Sequence, residues 1–580
     1  MFFFKSNHNF IKYIFFLQLL YSNILLATEK DLRANPEVGL ENFNKTSINF
    51  SKNNMVVCAD NRAALAAKEV LEKGGNIIDA LITAQNVLSV VEPQSSGIGG
   101  GGFLLYYNKK LNLLEAWDGR ETAPLSSTPN QFIDLENKKM PFLEAVINDK
   151  SIGVPGLYSM LADVHSKHGK MEWESLFDDA VSYAKKFKVS NRLNKMLKWA
   201  PHLKDDPYSM KTYFDRDSPK KIGAFIRNIE LVNTLKSLSK DRYSIKNGKV
   251  SKLIHNKLSP VLNEEDLNSW KTIKRKPICK KYKAYNICGF PPPTSGGISV
   301  LQILGILENI KTDFNPFDTI MDEHIFLEAS RLAYADREVY IADPDFFDVP
   351  VKGLLNKNYL KQRAKLINTE KATKEIRHGD MKMYSENVLD IGVNLNFPST
   401  THISIVDANG NAVALTSSIE FAFGSGRTVG GFFLNNQLTD FSFVSRQNNG
   451  GLIANSVEAN KKPRSSMAPT LIFKNNDLVG IIGSPGGSRI ICYVAKTIFY
   501  LINFDMDVKE VIDLPHLCSR GSNSEIEKGE RGNQITKQLK LLNHDITRNK
   551  MTSGLNIIWK NKEFWIGASD YRREGVAVGF

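Results

Sequence analysis

The sequence predicts an α/β protein, a layered sandwich in which both halves of the chain share one core. Three observations carry this. Residues 156–345 are dominated by apolar residues at helical spacing. From Thr400 onward the pattern changes to short apolar runs of strand character. Between two of those runs stands Asp407-Ala408-Asn409-Gly410-Asn411, and Asn-Gly in that setting signals a hairpin because both residues tolerate positive φ.

Taken in order, Lys5 and Lys12 precede an apolar run over 13–27 that ends in Leu25-Leu26-Ala27. It is about as long as an export-signal core and shorter than the ~20 residues of a membrane span. Leu25 stands where a small residue is expected before cleavage. Residues 1–27 are therefore expected to be a signal peptide and the protein to be exported, periplasmic or secreted. A polar, loose stretch over 28–54 follows. Helices are expected over 61–73 and 76–91, separated by Gly74-Gly75, and a glycine run over 99–102 leads into a strand over 103–107. Further helices are expected over 157–168, 173–186 and 324–342. Strands are expected over 401–406, 412–416, 431–434, 470–473 and 478–482. Neither an internal repeat nor a low-complexity linker is present.

With 580 residues, 42% hydrophobic and 24% charged, the chain has an ordinary globular composition and enough length to bury a large core. The formal charge of +13 would attract polyanions or anionic membranes. The basic residues are scattered, however, with no Lys/Arg block interleaved with aromatics, which argues against specific nucleic-acid binding. Of five cysteines, Cys279 and Cys288 flank a segment short enough for a tight hairpin and could be bridged in an exported protein. Five idle thiols fit equally well. No Cys/His spacing points to zinc.

Chemistry-bearing motifs fall in both halves. The first half holds Val91-Glu92-Pro93-Gln94-Ser95-Ser96-Gly97-Ile98 with the glycine run behind it, Asp118-Gly119-Arg120-Glu121-Thr122-Ala123-Pro124, Gly153-Val154-Pro155-Gly156, Pro291-Pro292-Pro293-Thr294-Ser295-Gly296-Gly297 and Ala333-Tyr334-Ala335-Asp336-Arg337. The second holds Thr400-Thr401-His402-Ile403-Ser404, Leu434-Asn435-Asn436-Gln437-Leu438-Thr439-Asp440-Phe441-Ser442, Pro463-Arg464-Ser465-Ser466-Met467-Ala468-Pro469-Thr470 and Gly483-Ser484-Pro485-Gly486-Gly487-Ser488-Arg489. Each block alone is weak. Together and in this order, from about residue 55 to Phe580, they resemble the gamma-glutamyltranspeptidases of the N-terminal-nucleophile hydrolase superfamily. The glycine run also fits GxGxxG, but no strand precedes it and a strand rather than a helix follows, so it is no dinucleotide signature. Close backbone packing near the active site is the better reading.

The resemblance implies a four-layer αββα sandwich built from both halves of a self-cleaved chain: a large subunit, 55–399, and a catalytic small subunit, 400–580. Thr400 becomes the nucleophile. Threonine needs a base to take its proton, and a chain-terminal α-amine with a pKa near ~7.7–8.0 supplies one at short range. The Ser399–Thr400 bond must therefore break first, through attack of Oγ on the Ser399 carbonyl. Ser418, two residues beyond Thr416 on the next strand, matches a second hydroxyl that contacts the nucleophile. Gly486 and Gly487 match the oxyanion hole, where backbone N–H groups meet developing charge. Arg120, with Ser465 and Ser466, matches the groups that hold the donor's α-carboxylate; Asp440, Gln437 and Glu420 match those around its α-ammonium. No metal or organic cofactor is implied, and the partners are a glutathione-like donor and water or an amine.

Two departures bear on specificity. Glu420 stands where well-studied bacterial members carry asparagine, which adds a carboxylate near the α-amine. The stretch from Asp440 to Ser465 is short and holds no tyrosine or tryptophan, so an aromatic lid is expected to be absent and hydrolysis favoured over transfer. Competing readings are a cephalosporin- or glutaryl-type acylase of the same branch, an unprocessed binding protein for glutathione or anionic peptides, and a basic envelope protein. Retained Asp440 and Gln437 argue against the first, and Thr400, Ser418, Gly486 and Gly487 against the second. Nothing in the sequence favours the third.

Overall fold

A period-two alternation organises the centre of the molecule. In the strand Met55–Cys58, Val56 and Cys58 join one apolar cluster while Met55 and Val57 join another. The strand Ser399–Val406 divides likewise, with Ile403 and Ile405 facing the first cluster and Val406 the second. The first cluster holds the helices Asn61–Glu72, Ile77–Val91 and Leu157–His168. The second fills the space between two sheets and runs out to Gly296–Leu307, Met321–Tyr340 and Ile490–Phe504. The result is four layers, helices outside and two sheets within. This computed structural model describes residues 46–134, 136, 138–310, 320–381, 399–447 and 450–580. The segment expected to direct export, 1–27, lies outside the described residues.

Each central sheet has seven strands, all antiparallel to their neighbours. One runs Val576–Gly579, Met55–Cys58, Ser399–Val406, Ala412–Glu420, Gly101–Asn108, Leu113–Gly119, Ile273–Arg275. The other runs Ser47–Ser51, Phe564–Ser569, Asn556–Asn561, Asp477–Gly483, Thr470–Lys474, Tyr285–Gly289, Ile278–Tyr282. Both sheets interleave strands from before and after Thr400, so a chain cut there would remain one folded body. Among the described residues no helix is long and apolar enough to cross a membrane.

Three expectations need correction. The stretch up to Asn54 is not loose throughout: Ser47–Ser51 pairs in register with Phe564–Ser569 and covers the edge of the second sheet. The helix expected over 173–186 is broken, with a 3₁₀ turn over Trp173–Phe177 and a new helix over Asp178–Lys185. Asp178 and Asp179 sit in that helix's first turn, where carboxylates are favoured by the exposed N–H groups. The strand expected over 431–434 shrinks to Phe432–Phe433, directly after Gly430 and Gly431, both with positive φ. Of the two alternatives for the cysteines, the bridged one is observed: Cys279 and Cys288 face each other across a hairpin and are joined. A second bridge, Cys492–Cys518, had no sequence signal.

His402 is fully buried between the sheets, with Thr416 Oγ1 2.8 Å from Nδ1 and Ser404 Oγ 3.1 Å from Nε2. Burial drives its pKa down to about 3, so the ring is neutral. It lies flat against Gly483, where a Cβ would fall 2.1 Å from the ring. Gly483→Ala should therefore lower stability by about 1–3 kcal/mol through overpacking. Gly521→Ala, with nothing within 4 Å of its Cβ position, should leave the thermal midpoint unchanged. Equal midpoints for both variants would remove the packing role assigned to His402.

Candidate active site

Thr400 is the second residue of the strand Ser399–Val406 and is buried. The pairing with Ala412–Glu420 shifts at this point: Ser399 faces Glu420 and Thr400 faces Ser418, which leaves Ile419 unpaired. Such a bulge re-aims side chains, and it coincides with a positive φ of 73° at Glu420. Thr400 Oγ1 consequently lies 3.2 Å from Ser418 Oγ. The Ser418 hydroxyl donates to the carbonyl oxygen of Ser399 at 2.7 Å and accepts the Glu420 N–H at 2.9 Å. A hydroxyl has one proton to give, so the Thr400 proton points to Ser418. One side chain therefore touches both the expected nucleophile and the carbonyl of the peptide bond before it. Both flanks of that bond are held, for the Ser399 hydroxyl donates to Gln94 O and Arg573 Nη1 donates to Thr400 O at 2.8 Å.

Nine of the ten residues singled out in the sequence line a single cleft: Thr400, Ser418, Glu420, Arg120, Gln437, Asp440, Ser465, Ser466 and Gly487. Gly486 is the exception, one residue behind. Its φ of +140° and the Tyr493 ring, 2.5 Å from a would-be Cβ, both require glycine. Gly487 opens a 3₁₀ turn, Gly487–Arg489, that runs into the helix Ile490–Phe504. N–H groups without partners along the chain gather at such a start. The expectation for the glycine run also holds: a Cβ on Gly100 would lie 2.2 Å from the carbonyl oxygen of Ser418.

The head-group side differs from expectation in one respect. Arg120 does not present an open fork; Nη2 lies 2.5 Å from Asp440 Oδ2, and Nε donates to Pro463 O. Gln437 donates to the same Asp440 oxygen at 2.6 Å, while its own Oε1 is buried without a hydrogen bond. Cation and anion thus neutralise each other, and the open volume is about 20 Å³, little more than one water. A ligand with one carboxylate and one ammonium would replace this internal pair with two external ones. Glu420 accepts from Asn436 Nδ2 at 2.6 Å. No aromatic of the 440–465 stretch lines the cleft: Phe441 is buried in a satellite cluster and Phe443 stacks on Phe132 at 4.5 Å.

Several supporting residues carried no role in the sequence reading. Arg337 donates to Ser466 Oγ at 2.7 Å and to Ser295 Oγ at 2.8 Å, and Tyr334 donates to the carbonyl of Ser488. Both belong to the Ala333–Arg337 motif, so the motif was visible while its partners were not. Glu121 is buried behind Arg120, 3.6 Å from Nη1, with neither oxygen hydrogen-bonded. Burial pushes its pKa up to about 7, against the pull of Arg120. Adjacency to Arg120 was its only sequence signal.

Comparison with known proteins follows the same line. The family model described as Gamma-glutamyltranspeptidase matches residues 63–580. The chain is 32% identical to the glutathione hydrolase proenzyme of Bacillus subtilis (strain 168), over 97% of this chain and 98% of that protein. It is 33% identical to the glutathione hydrolase proenzyme of Escherichia coli (strain K12), with 83% of each covered. In fold it is similar to the crystal structure of cephalosporin acylase from Bacillus halodurans, with a TM-score of 0.81, 24% identity, and 93% of this chain and 98% of that one covered. With a family model spanning most of its length and a relative above 30% identity matched almost end to end, this chain belongs to the gamma-glutamyltranspeptidase family.

Proposed function

We propose that the protein cleaves itself between Ser399 and Thr400 and then hydrolyses or transfers gamma-glutamyl groups through Thr400. The observation that carries this is the single Ser418 hydroxyl in contact with both Thr400 Oγ1 and the Ser399 carbonyl. In maturation, Thr400 Oγ adds to the Ser399 carbonyl carbon and the C–N bond breaks. The acyl group passes to oxygen and the nitrogen leaves as the free α-amine. Water then hydrolyses the ester, giving the Ser399 carboxylate and restoring the hydroxyl. Ser418 supports the step by donating to the carbonyl oxygen as negative charge develops there.

In turnover the freed amine takes the Oγ proton and Oγ adds to the γ-carbonyl of the donor. The N–H groups at Gly486 and Gly487 receive the oxyanion, and the leaving amine departs with the proton. Water or an amine acceptor resolves the glutamyl ester. Arg120 with Ser465 and Ser466 holds the α-carboxylate, and Asp440, Gln437 and Glu420 hold the α-ammonium. Glutathione is the type of donor we assign, from the names of the relatives. The two pieces, 28–399 and 400–580, stay together because both sheets interleave them. The apolar run over 13–27 supports export to the periplasm or the medium. A glutaryl- or cephalosporin-type acylase is the second reading, favoured by the fold likeness to the Bacillus halodurans protein.

Thr400→Ala should run as one inactive chain on a denaturing gel beside a two-chain wild type. A two-chain pattern from the variant would place the cut elsewhere. Ser418→Ala should slow the appearance of the two pieces by about 10²–10³-fold, the usual effect of removing one oxyanion donor, and Ser418→Thr should restore it. Unaltered processing in Ser418→Ala would exclude the role given to that hydroxyl. The wild type should prefer gamma-glutamyl over glutaryl anilides, and Asp440→Asn should erode that preference about thirtyfold or more, as expected for a buried charge pair. Equal preference in both proteins would favour the acylase reading.

A further inference from the structure

Beside the cleft, and sharing its wall, lies a second cavity of about 460 Å³. The two meet at the Gly487–Ser488 step, since Gly487 lines the first and Ser488 the second. Three residues of the second cavity hold either Ser466 of the first or Ser488 at this step. Arg337 donates to Ser466 Oγ, Tyr334 to the carbonyl of Ser488, and Arg520 Nη1 to Ser488 Oγ at 2.5 Å. The lining is basic: Arg331, Arg337, Lys374 and Arg520 face Glu338 and Glu375, with His378 at the margin. Most of these cations are already engaged. Arg331 binds Glu328 and two backbone carbonyls, and Arg337 pairs with Glu338. Arg520 shares Glu525 with Arg489, and the two hold that carboxyl down to about 2 against the push of burial. Lys374 is different: it is exposed at the cavity and makes no hydrogen bond or ion pair among the described residues.

We propose that this cavity is a binding site for a carboxylate-bearing ligand, held by Lys374 in a lining that also carries Arg520. This rests on the gamma-glutamyl reading above, because the cavity adjoins the oxyanion turn of that site. Tyr334, Ala335 and Ile376 give the cavity an apolar body. A ligand with a short hydrophobic or aromatic portion and one carboxylate matches this lining, whereas a dianionic phosphate would meet Glu338 and Glu375. Such a carboxylate could enter on the leaving group of the donor or as a free molecule.

Two donors with near-identical chemistry separate the possibilities: γ-glutamyl-4-nitroanilide and γ-glutamyl-3-carboxy-4-nitroanilide. The ratio of kcat/KM, carboxylated over neutral, should fall about two- to fivefold in processed Lys374→Gln relative to wild type, the size of an exposed ion pair. Raising the salt concentration should shrink that difference. Free 3-carboxy-4-nitroaniline, added to the neutral-donor assay, provides the second arm. If only the free molecule shows a Lys374-dependent effect, the site takes an independent carboxylate ligand. If neither the donor ratio nor the free-ligand effect depends on Lys374, the proposal is overturned. Failure of the wild type to cleave the neutral donor would instead refute the gamma-glutamyl reading, so the two failures are distinct.

Discussion

The contact on which the rest depends is the cross-strand pair of Thr400 and Ser418 at a bulge in the first sheet. A regular ladder would set Ser399 opposite Ile419; the slip instead brings Glu420 to Ser399 and keeps Ser418 on Thr400. With one donor and two acceptor sites, the Ser418 hydroxyl is fully used by Ser399 O, Glu420 N–H and Thr400 Oγ. Everything around it keeps these two strand ends in place. His402 and Thr416 bond one step further along the same face, and Gly100 admits the Ser418 carbonyl without a clash. Arg573 reaches from the last turn of the chain to the Thr400 carbonyl.

Electrostatics set the character of the cleft. Arg120, Asp440, Gln437 and the buried Glu121 form a connected set whose charges are satisfied internally or held back by burial. A zwitterionic head group exchanges that internal pairing for its own, so binding costs little desolvation beyond what the site already bears. A ligand with only a carboxylate would take Arg120 and leave Asp440 buried without its cation. On the function proposed above, that asymmetry favours an α-amino acid donor over a glutaryl one.

Much of this was legible in the sequence, and for identifiable reasons. Asn409-Gly410 announced the hairpin that pairs Thr400 with Ser418, because a tight turn fixes register. The apolar residues of 401–406 announced a strand, and the structure packs it on both faces. The glycines at 99–102 and 486–487 announced close backbone approach, and a Cβ would fall 2.2 Å from its nearest neighbour at Gly99, Gly100 and Gly101 and 2.5 Å at Gly486. What stayed hidden was long-range. The Cys492–Cys518 bridge, the Arg489–Glu525–Arg520 cluster and Arg573 join residues whose proximity only the packed sheets create. The Arg120–Asp440 pair was hidden differently: both residues were visible, but their mutual contact was not. Ser47–Ser51 looked loose because its alternation, with only Ile48 and Phe50 apolar, is too short to stand out from the polar stretch around it.

The central claim is that catalysis belongs to a threonine at a chain start made by the protein itself. N-terminal sequencing of the smaller polypeptide from active, purified protein tests it most directly. The account predicts a start at Thr400-Thr401-His402-Ile403. An active preparation with its chain uncut there, or with a small polypeptide that begins at any other residue, would contradict it.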